Sequence, residues 1–516
     1  MWLDILVLVI FALGMVGIAV YTRNKAKNSS DFLMAGKGLN GWMSAFAYGT
    51  TYFSAVIFVG YAGQFGQAYG LSATWIGIFN AVFGALVAWL LLAKPTKNMT
   101  TRLQVKTMPS FFGKRYESKG LRGMSAVIVF IFLIPYGASV YNGLSALFQI
   151  VFGIDGWIII LAMAVITGLY ICVGGYLATS LSDFIQGLIM LVGVIIMTVF
   201  MLNSDYVNWG EGIKTLMQND HGWFITVSHD NVPWLFDNTA TLISLIILTS
   251  VGVYGLPQTV HKYYTVRDKK AIKQGVIVST AFALIIGFCA YFTGALGSLF
   301  EGAIDLSQTG NIIPNMVKLV IPAGLLGLIA VLILSASMST LGSVTLSASS
   351  VISVDLYQGF SKKEIGDKKI TLTTRIVCFA FILISIAIAL INYFFNIAAI
   401  TSLMSFSWGT LSGCFLGPFV IGLRSKKVTK TASYVSMIGT LILTVALIIV
   451  FGYWGIGWEG SFGAAIKSGV SRSAQIGVIC MAYSLISTFI VSLFTKKPSE
   501  ETLYQCFDKE CEGLVK

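Results

Sequence analysis

Six hydroxyl side chains crowd one apolar stretch: Ser335, Ser337, Ser339, Thr340, Ser343 and Thr345. A hydroxyl in an apolar helix usually bonds back to the carbonyl four residues earlier. That habit explains one or two of them, and a run of six less well. Ser339 and Ser343 are four residues apart, so a helix places both on one face. A hard cation such as Na+ needs about five or six oxygen ligands, by analogy with other hard cations. Two hydroxyls, joined by carbonyls released from a broken helix, would supply such a set. Two stretches read as broken helices: Ala47-Tyr48-Gly49-Thr50-Thr51-Tyr52-Phe53-Ser54, and Thr249-Ser250-Val251-Gly252-Val253-Tyr254-Gly255-Leu256-Pro257. Each sets small or helix-weak residues inside an apolar segment, and Pro257 lacks a backbone donor. The bland alternative for the second is a simple proline kink at a glycine-packed interface. Irregular backbone in a bilayer is tolerated only where it is buried in protein or lines a cavity. Asp183 opens a further apolar segment, and the loop before it holds no Lys or Arg. It reads as a cation ligand or release-path group, or more plainly as an acid favoured at a helix N-terminus.

Membrane helices must position these residues. Of 516 residues, 56% are hydrophobic and only 11% charged, against about 25% charged in an ordinary globular domain. Mean hydropathy is +0.82. A soluble enzyme, a disordered chain, a collagen and a disulfide scaffold are set aside. The pattern predicts an all-α polytopic membrane protein with about 13 spans of some 20 residues each. They fall near 3–21, 41–69, 71–93, 123–150, 156–173, 181–203, 238–263, 272–299, 322–353, 371–391, 397–423, 431–452 and 474–495. Arg23, Lys25 and Lys27 follow the first apolar run rather than precede it, so it reads as an uncleaved span with its N-terminus outside. With that start, all but four of the 34 Lys and Arg fall inside, Lys37 and Lys262 among them; Lys214, Lys318, Lys467 and Arg472 fall outside. The net charge of +12 is thus a topology signal, and nucleic acid is not an expected partner.

The two broken spans are the second and the seventh. A separation of five, with opposite senses in the membrane, fits two inverted units. The expected organisation is an extra N-terminal helix and loop over 1–40, a first repeat (spans 2–6) over 41–203, and an outside loop over 204–236. A second repeat (spans 7–11) follows over 237–424, then two further spans over 425–495 and a cytoplasmic tail over 496–516. Five of the seven cysteines lie in apolar stretches and none in an outside loop, so no structural disulfide is expected. Cys506 and Cys511 could pair or bind metal, but no His or further Cys accompanies them. His221, His229 and His261 form no metal cluster in the sequence, and Asp183 has no evident acid–base partner. An enzyme is not expected.

The chain resembles the sodium:solute symporter family over about residues 30–430. Four motifs carry the likeness: Asp31-Phe32-Leu33-Met34-Ala35-Gly36-Lys37; Gly174-Gly175 with Asp183 and Gln186; Gly255-Leu256-Pro257; and Ala336-Ser337-Met338-Ser339-Thr340-Leu341. The Asp355-Leu356-Tyr357 stretch also fits. The resemblance implies a LeuT-type 5+5 inverted repeat in the cell membrane and Na+ as coupling ion. It implies a main sodium site at Thr50, Phe53, Ala336, Ser339 and Thr340. It also implies a second sodium site or release path at Asp183 and Ser343, where one family ligand position is occupied here by Gly342. Proline carriers of the family have an acid in the first break, where this chain has Tyr52.

The solute pocket is expected between the two breaks and the fourth and eleventh spans. Its candidates are Tyr52, Ser54, Gln64, Asn142, Thr249, Tyr254, Ser405 and Trp408. They are polar and uncharged, and no Lys or Arg is expected at mid-membrane. A single carboxylate would suit a half-helix N-terminus, so a monocarboxylate, a pantothenate-like acid or an amino acid is favoured over a sugar acid. The expected function is Na+-coupled import of such a solute by alternating access. The rivals are a proton-coupled carrier using Asp183 and a non-accumulating sensor or channel on the same scaffold. The expected partners are the solute, Na+ and the lipid bilayer.

Overall fold

The computed structural model describes residues 2–23, 29–34, 39–218, 222–224, 235 and 237–507. Lys25, Lys27, Ala35–Lys37, His221, His229 and Cys511 lie outside these residues. The described chain is helical nearly throughout. Its elements are α1 (Trp2–Arg23), α2 (Gly41–Tyr52), the bent stretch Val56–Arg102, α3 (Met108–Arg115), α4 (Lys119–Phe152) and α5 (Gly156–Leu202). Then come α6 (Asn238–Ser250), α7 (Pro257–Thr265), α8 (Lys269–Ala295) and α9 (Leu326–Ser350). The last are α10 (Asp367–Phe395), α11 (Ile400–Leu416), α12 (Lys430–Ile456), α13 (Ser473–Phe494) and α14 (Glu500–Phe507).

Polar side chains set where many helices start. Asn40 accepts from the Met43 amide at 2.8 Å and opens α2; Asp237 and Asp268 do the same for α6 and α8. Each satisfies one of the orphan donors at a helix start. Gly153, at φ 68°, closes α4 in the left-handed region.

Among the described residues, eleven helical stretches are long and apolar enough to cross a membrane, against the thirteen expected. Two of these stretches run 47 residues, Val56–Arg102 and Gly156–Leu202, far more than the 20 or so that a bilayer requires. The second contains both 156–173 and 181–203, which the sequence reading separates by a loop. It is two helices that meet at a kink: Gly175, at φ 59° and ψ −155°, is non-helical and divides the stretch between those two spans. A side chain there would meet Phe32, 2.7 Å from an ideal Cβ. Two of the family-like motifs, at Asp31–Met34 and at Gly174–Gly175, therefore pack directly on each other.

The molecule is layered around α9. Its most apolar window is 94% buried, against 22% for α1, so α9 is the central helix and α1 lies on the periphery. α1 turns Trp2, Ile10, Leu13 and Val20 outward, as a lipid-facing helix would. It is nevertheless pinned to the start of α9: Asp4 accepts from the amides of Gly324 and Gly327. At the other end of α9, Asp355 accepts from Arg122 at 2.7 Å and from Ser110 and Thr107 at 2.5 Å. The C-terminal helix α14 docks near that same end. Glu117 accepts from the Ser499 amide at 2.9 Å, Arg102 donates to the Cys506 carbonyl at 2.8 Å, and the Arg115 guanidinium lies over the Phe507 ring.

Candidate functional site

Both predicted breaks are breaks. α2 ends at Tyr52 and Phe53 is extended (φ −98°, ψ 100°). The last helical bond runs from the Phe53 amide to the Gly49 carbonyl at 3.1 Å. The Thr50 carbonyl is the next along and is released from the ladder. The chain re-enters a helix from Ala55, beginning with a π-helical turn over Val56–Tyr61. In the second break, α6 ends at Ser250, a short 3-10 turn covers Gly252–Gly255, and Leu256 is extended. Pro257 is the first residue of α7, where its missing donor costs nothing. The proline starts a new half-helix instead of kinking a continuous one.

The hydroxyl run of α9 faces the first break. Ser339 donates toward the released Thr50 carbonyl at 3.1 Å, and Thr340 lies 3.5 Å from the same oxygen. Ser339 also reaches back to the Ser335 carbonyl at 2.9 Å and the Ala336 carbonyl at 3.2 Å. Thr50, Ala336, Ser339 and Thr340 thus converge on one point between α2 and α9, with Phe53 at the break beside them. Ser337 points elsewhere and bonds back to Ile333. A cluster of two hydroxyls and several carbonyls, all buried, is the donor set a hard monovalent cation takes.

One turn along α9, Ser343 shares the face of Ser339, as their spacing requires. Its hydroxyl pairs with that of Thr51 at 2.8 Å. It also accepts from the Lys262 ammonium at 2.9 Å, and Lys262 lies 3.3 Å from Asp183 Oδ2. Lys262 is 1% exposed and Asp183 fully buried. This corrects the sequence reading on two counts. Lys262 is not in a solvated basic loop, and Asp183 does have a basic partner. That partner comes from the last turn of α7, carried inward because the second break re-aims the half-helix.

The eight solute candidates do not share one pocket. Tyr52, Ser54, Thr249 and Trp408 gather at the breaks. The Tyr52 hydroxyl donates to the Thr249 carbonyl at 2.5 Å and joins the two breaks. The Thr249 and Ser250 hydroxyls both donate to Asn80 Oδ1. Tyr52 and Trp408 lie ring to ring, 6.1 Å apart. Gln64 and Asn142 instead line a polar cavity of about 740 Å³ with Gln149, Asn311, Asn392 and Lys467. Ser405 is paired with the Tyr61 hydroxyl at 2.5 Å and lines, with Gln64, a second cavity of about 350 Å³; Tyr254 donates to the Phe83 carbonyl at 2.7 Å.

Sequence reasoning missed Tyr136. Its ring stands edge-on to Trp408 at 5.6 Å, and its hydroxyl faces Ser54, Thr340 and Trp408. The Ser54 hydroxyl, the Tyr136 hydroxyl and the Trp408 indole N–H are buried and make no well-formed hydrogen bond within the protein. Buried polar groups are normally paired. Three such groups, adjoining Thr340, form a small polar face ready for a ligand. Nothing in the local sequence distinguishes Tyr136 from other membrane tyrosines.

The model of the sodium:solute symporter family matches residues 32–442. The chain is 25% identical over 512 residues to the osmoregulated proline transporter of Bacillus subtilis (strain 168), covering 96% of both proteins. It is 26% identical over 460 residues to the sodium/proline symporter of Escherichia coli (strain K12), covering 87% of this chain and 88% of that one. It is 27% identical over 455 residues to the sodium/pantothenate symporter of Haemophilus influenzae, covering 86% and 90%. Among solved structures, a Na+-coupled sialic acid symporter in a substrate-bound, outward-open state superposes with a TM-score of 0.76 at 18% identity, over 96% of this chain and 99% of that one. At that identity the likeness shows the fold, a LeuT-like helical bundle. On the family match and the whole-length likeness together, the chain belongs to the sodium:solute symporter family: a multi-pass membrane transporter with Na+ as its coupling ion, and not an enzyme.

Proposed function

We propose that the chain imports a small organic solute bearing one carboxylate (a monocarboxylate, a pantothenate-like acid or an amino acid) together with Na+, by alternating access. The observation that carries this is the approach of the Ser339 and Thr340 hydroxyls to the released Thr50 carbonyl. In this reading Thr50, Phe53, Ala336, Ser339 and Thr340 hold the sodium. Ser54, Tyr136 and Trp408 face the solute, with Tyr52 and Thr249 as the wall that joins the two breaks. Because Thr340 adjoins both groups, sodium and solute sites share a side chain, which gives each a direct route to strengthen the other. The proline and pantothenate carriers among the relatives both move a solute with a single carboxylate, in keeping with a neutral pocket. Gln64 and Asn142, in the larger polar cavity, line the approach.

In this reading spans 2–6 and 7–11 are the two inverted units, the N-terminus is outside and the tail is cytoplasmic. The docking of α14 beside Arg102, Arg115 and Glu117 supports the tail and the basic stretch 94–122 sharing a side. The test is uptake of labelled proline, pantothenate and short monocarboxylates into proteoliposomes. Accumulation above equilibrium under an inward Na+ gradient, with none in choline, is expected. Accumulation in choline under a proton gradient would overturn sodium coupling in favour of a proton carrier.

A further inference from the structure

The hydroxyl run of α9 serves two places, one turn apart. Ser339 and Thr340 face the Thr50 carbonyl. Ser343 faces Thr51, the next residue of the same break, and completes a second buried oxygen set with Asp183. A carboxylate and a hydroxyl from different helices are what a second hard cation would ask for. That set already holds a cation. The Lys262 ammonium lies 2.9 Å from Ser343 Oγ and 3.3 Å from Asp183 Oδ2, and it sits over the Tyr176 ring at 5.1 Å. The remaining space is closed as well. A side chain at Gly342 would run into the Tyr170 hydroxyl, 2.5 Å from an ideal Cβ, and that hydroxyl donates to the Met338 carbonyl at 2.6 Å.

We infer that Lys262 is a tethered cation that occupies a second cation site of this transporter and limits it to one Na+ per chain. This rests on the Na+-coupled reading above. The physical argument is one of charge. Asp183 and Lys262 together are neutral, so a second sodium entering beside them would be a buried charge without a counter-charge. It would also face the ammonium at close range in a medium that screens poorly. A free ion binds and leaves; an ammonium fixed to α7 does not. The contact that a second sodium would make only in the loaded state is therefore permanent here, and it ties the half-helix after the second break to α5 and α9. The chain then couples each solute to a single sodium.

Removing the ammonium should reopen the site. Lys262→Ala and Lys262→Ser each remove the ammonium and leave Asp183 and Ser343 facing a space of ammonium size. The experiment is a count of bound 22Na+ per full-length chain, purified in nanodiscs, at saturating Na+. One per chain in the wild type and two in Lys262→Ala are expected, with Asp183→Asn added to Lys262→Ala returning the count to one. If Lys262→Ala does not fold, Lys262→Ser is counted in its place, with two expected again. A count of two in the wild type overturns the inference and leaves sodium coupling standing. A count of one in the folded Lys262 variants also overturns it, since the pair is then only a structural ion pair. A count of zero in the wild type overturns the sodium reading itself.

Discussion

The Ser339 hydroxyl lies 3.1 Å from the Thr50 carbonyl, although 289 residues separate them in the chain. The contact exists because two local events coincide. α2 stops at Tyr52 and releases a carbonyl, and α9, the most buried of the eleven membrane-length stretches among the described residues, presents a hydroxyl opposite it. Neither half would form a cation site alone: a helix hydroxyl without a released carbonyl simply bonds back along its own helix, as Ser337 does.

The unpaired face made by Ser54, Tyr136 and Trp408 should govern solute affinity. Tyr136→Phe removes one hydroxyl and little else, because that hydroxyl faces Ser54, Thr340 and Trp408 without a well-formed hydrogen bond to any of them. A lost hydrogen bond to a charged solute group costs about 1.5–3 kcal/mol, or roughly 10- to 150-fold in affinity. Solute concentration for half-maximal uptake in proteoliposomes should rise accordingly, while solute-free 22Na+ binding changes little. An unaltered solute dependence would remove Tyr136 from the site.

Asp355 is a structural anchor rather than a transport ligand. It is fully buried and takes three donors, from Arg122, Ser110 and Thr107, so that it holds the π-helical stretch Val351–Gln358, which continues α9, against α3 and α4. Asp355→Ala leaves the Arg122 charge without its partner, a loss of about 3 kcal/mol at the low end for a buried pair, since Arg122 is partly exposed. The melting temperature in detergent should fall clearly, whether or not Na+ is present. A loss that Na+ fully reverses would instead tie Asp355 to the ion.

The docking of α14 should depend on pH through Glu117. Hydrogen bonds from the Ser499 and Thr502 side chains hold its carboxyl below the usual carboxylate range. A folded-state pKa that is lowered stabilises docking above the free carboxylate value, about 4.3, and that stabilisation is lost as pH falls through the lowered value. Spin labels at exposed Lys119 and Gln505 should keep one short distance from pH 7 to about 5 and lengthen only below about 4. Glu117→Gln should show the longer distance at neutral pH as well. Loosening of the wild type on raising the pH would contradict this sign.

Much of this was legible in the sequence because the signals were local. Gly, Ser and Thr inside apolar segments announced both breaks, and the four-residue spacing of Ser339 and Ser343 announced a shared face. Gly174-Gly175 read as the end of one span, and the helix does break there: Gly175 is non-helical at positive φ, and Phe32 seats against the kink. Lys262 was not legible. It stands beside His261 and five residues before Arg267, and so reads as one more basic residue at a membrane edge. Its burial follows from the direction of α7 after the break, a tertiary fact. Its only sequence signal is its position five residues past Pro257, about 7.5 Å along the same half-helix. Tyr136 is likewise one of 21 tyrosines, marked only by the unpaired neighbours that the fold brings to it. Gln64 and Asn142 were polar residues at the expected heights, but their helices turn them into the larger cavity.

The most direct measurement is the melting temperature of the purified full-length protein in Na+ against choline, for the wild type and for Ser339→Ala combined with Thr340→Ala. Na+ at about 100 times its dissociation constant should stabilise the wild type by about 2.7 kcal/mol. The account predicts a Na+-specific rise in the wild type and its loss in the double variant, with the two proteins melting alike in choline apart from the lost hydroxyl contacts. An equal Na+-specific rise in both proteins would contradict the assignment of sodium to the junction of Thr50, Ser339 and Thr340.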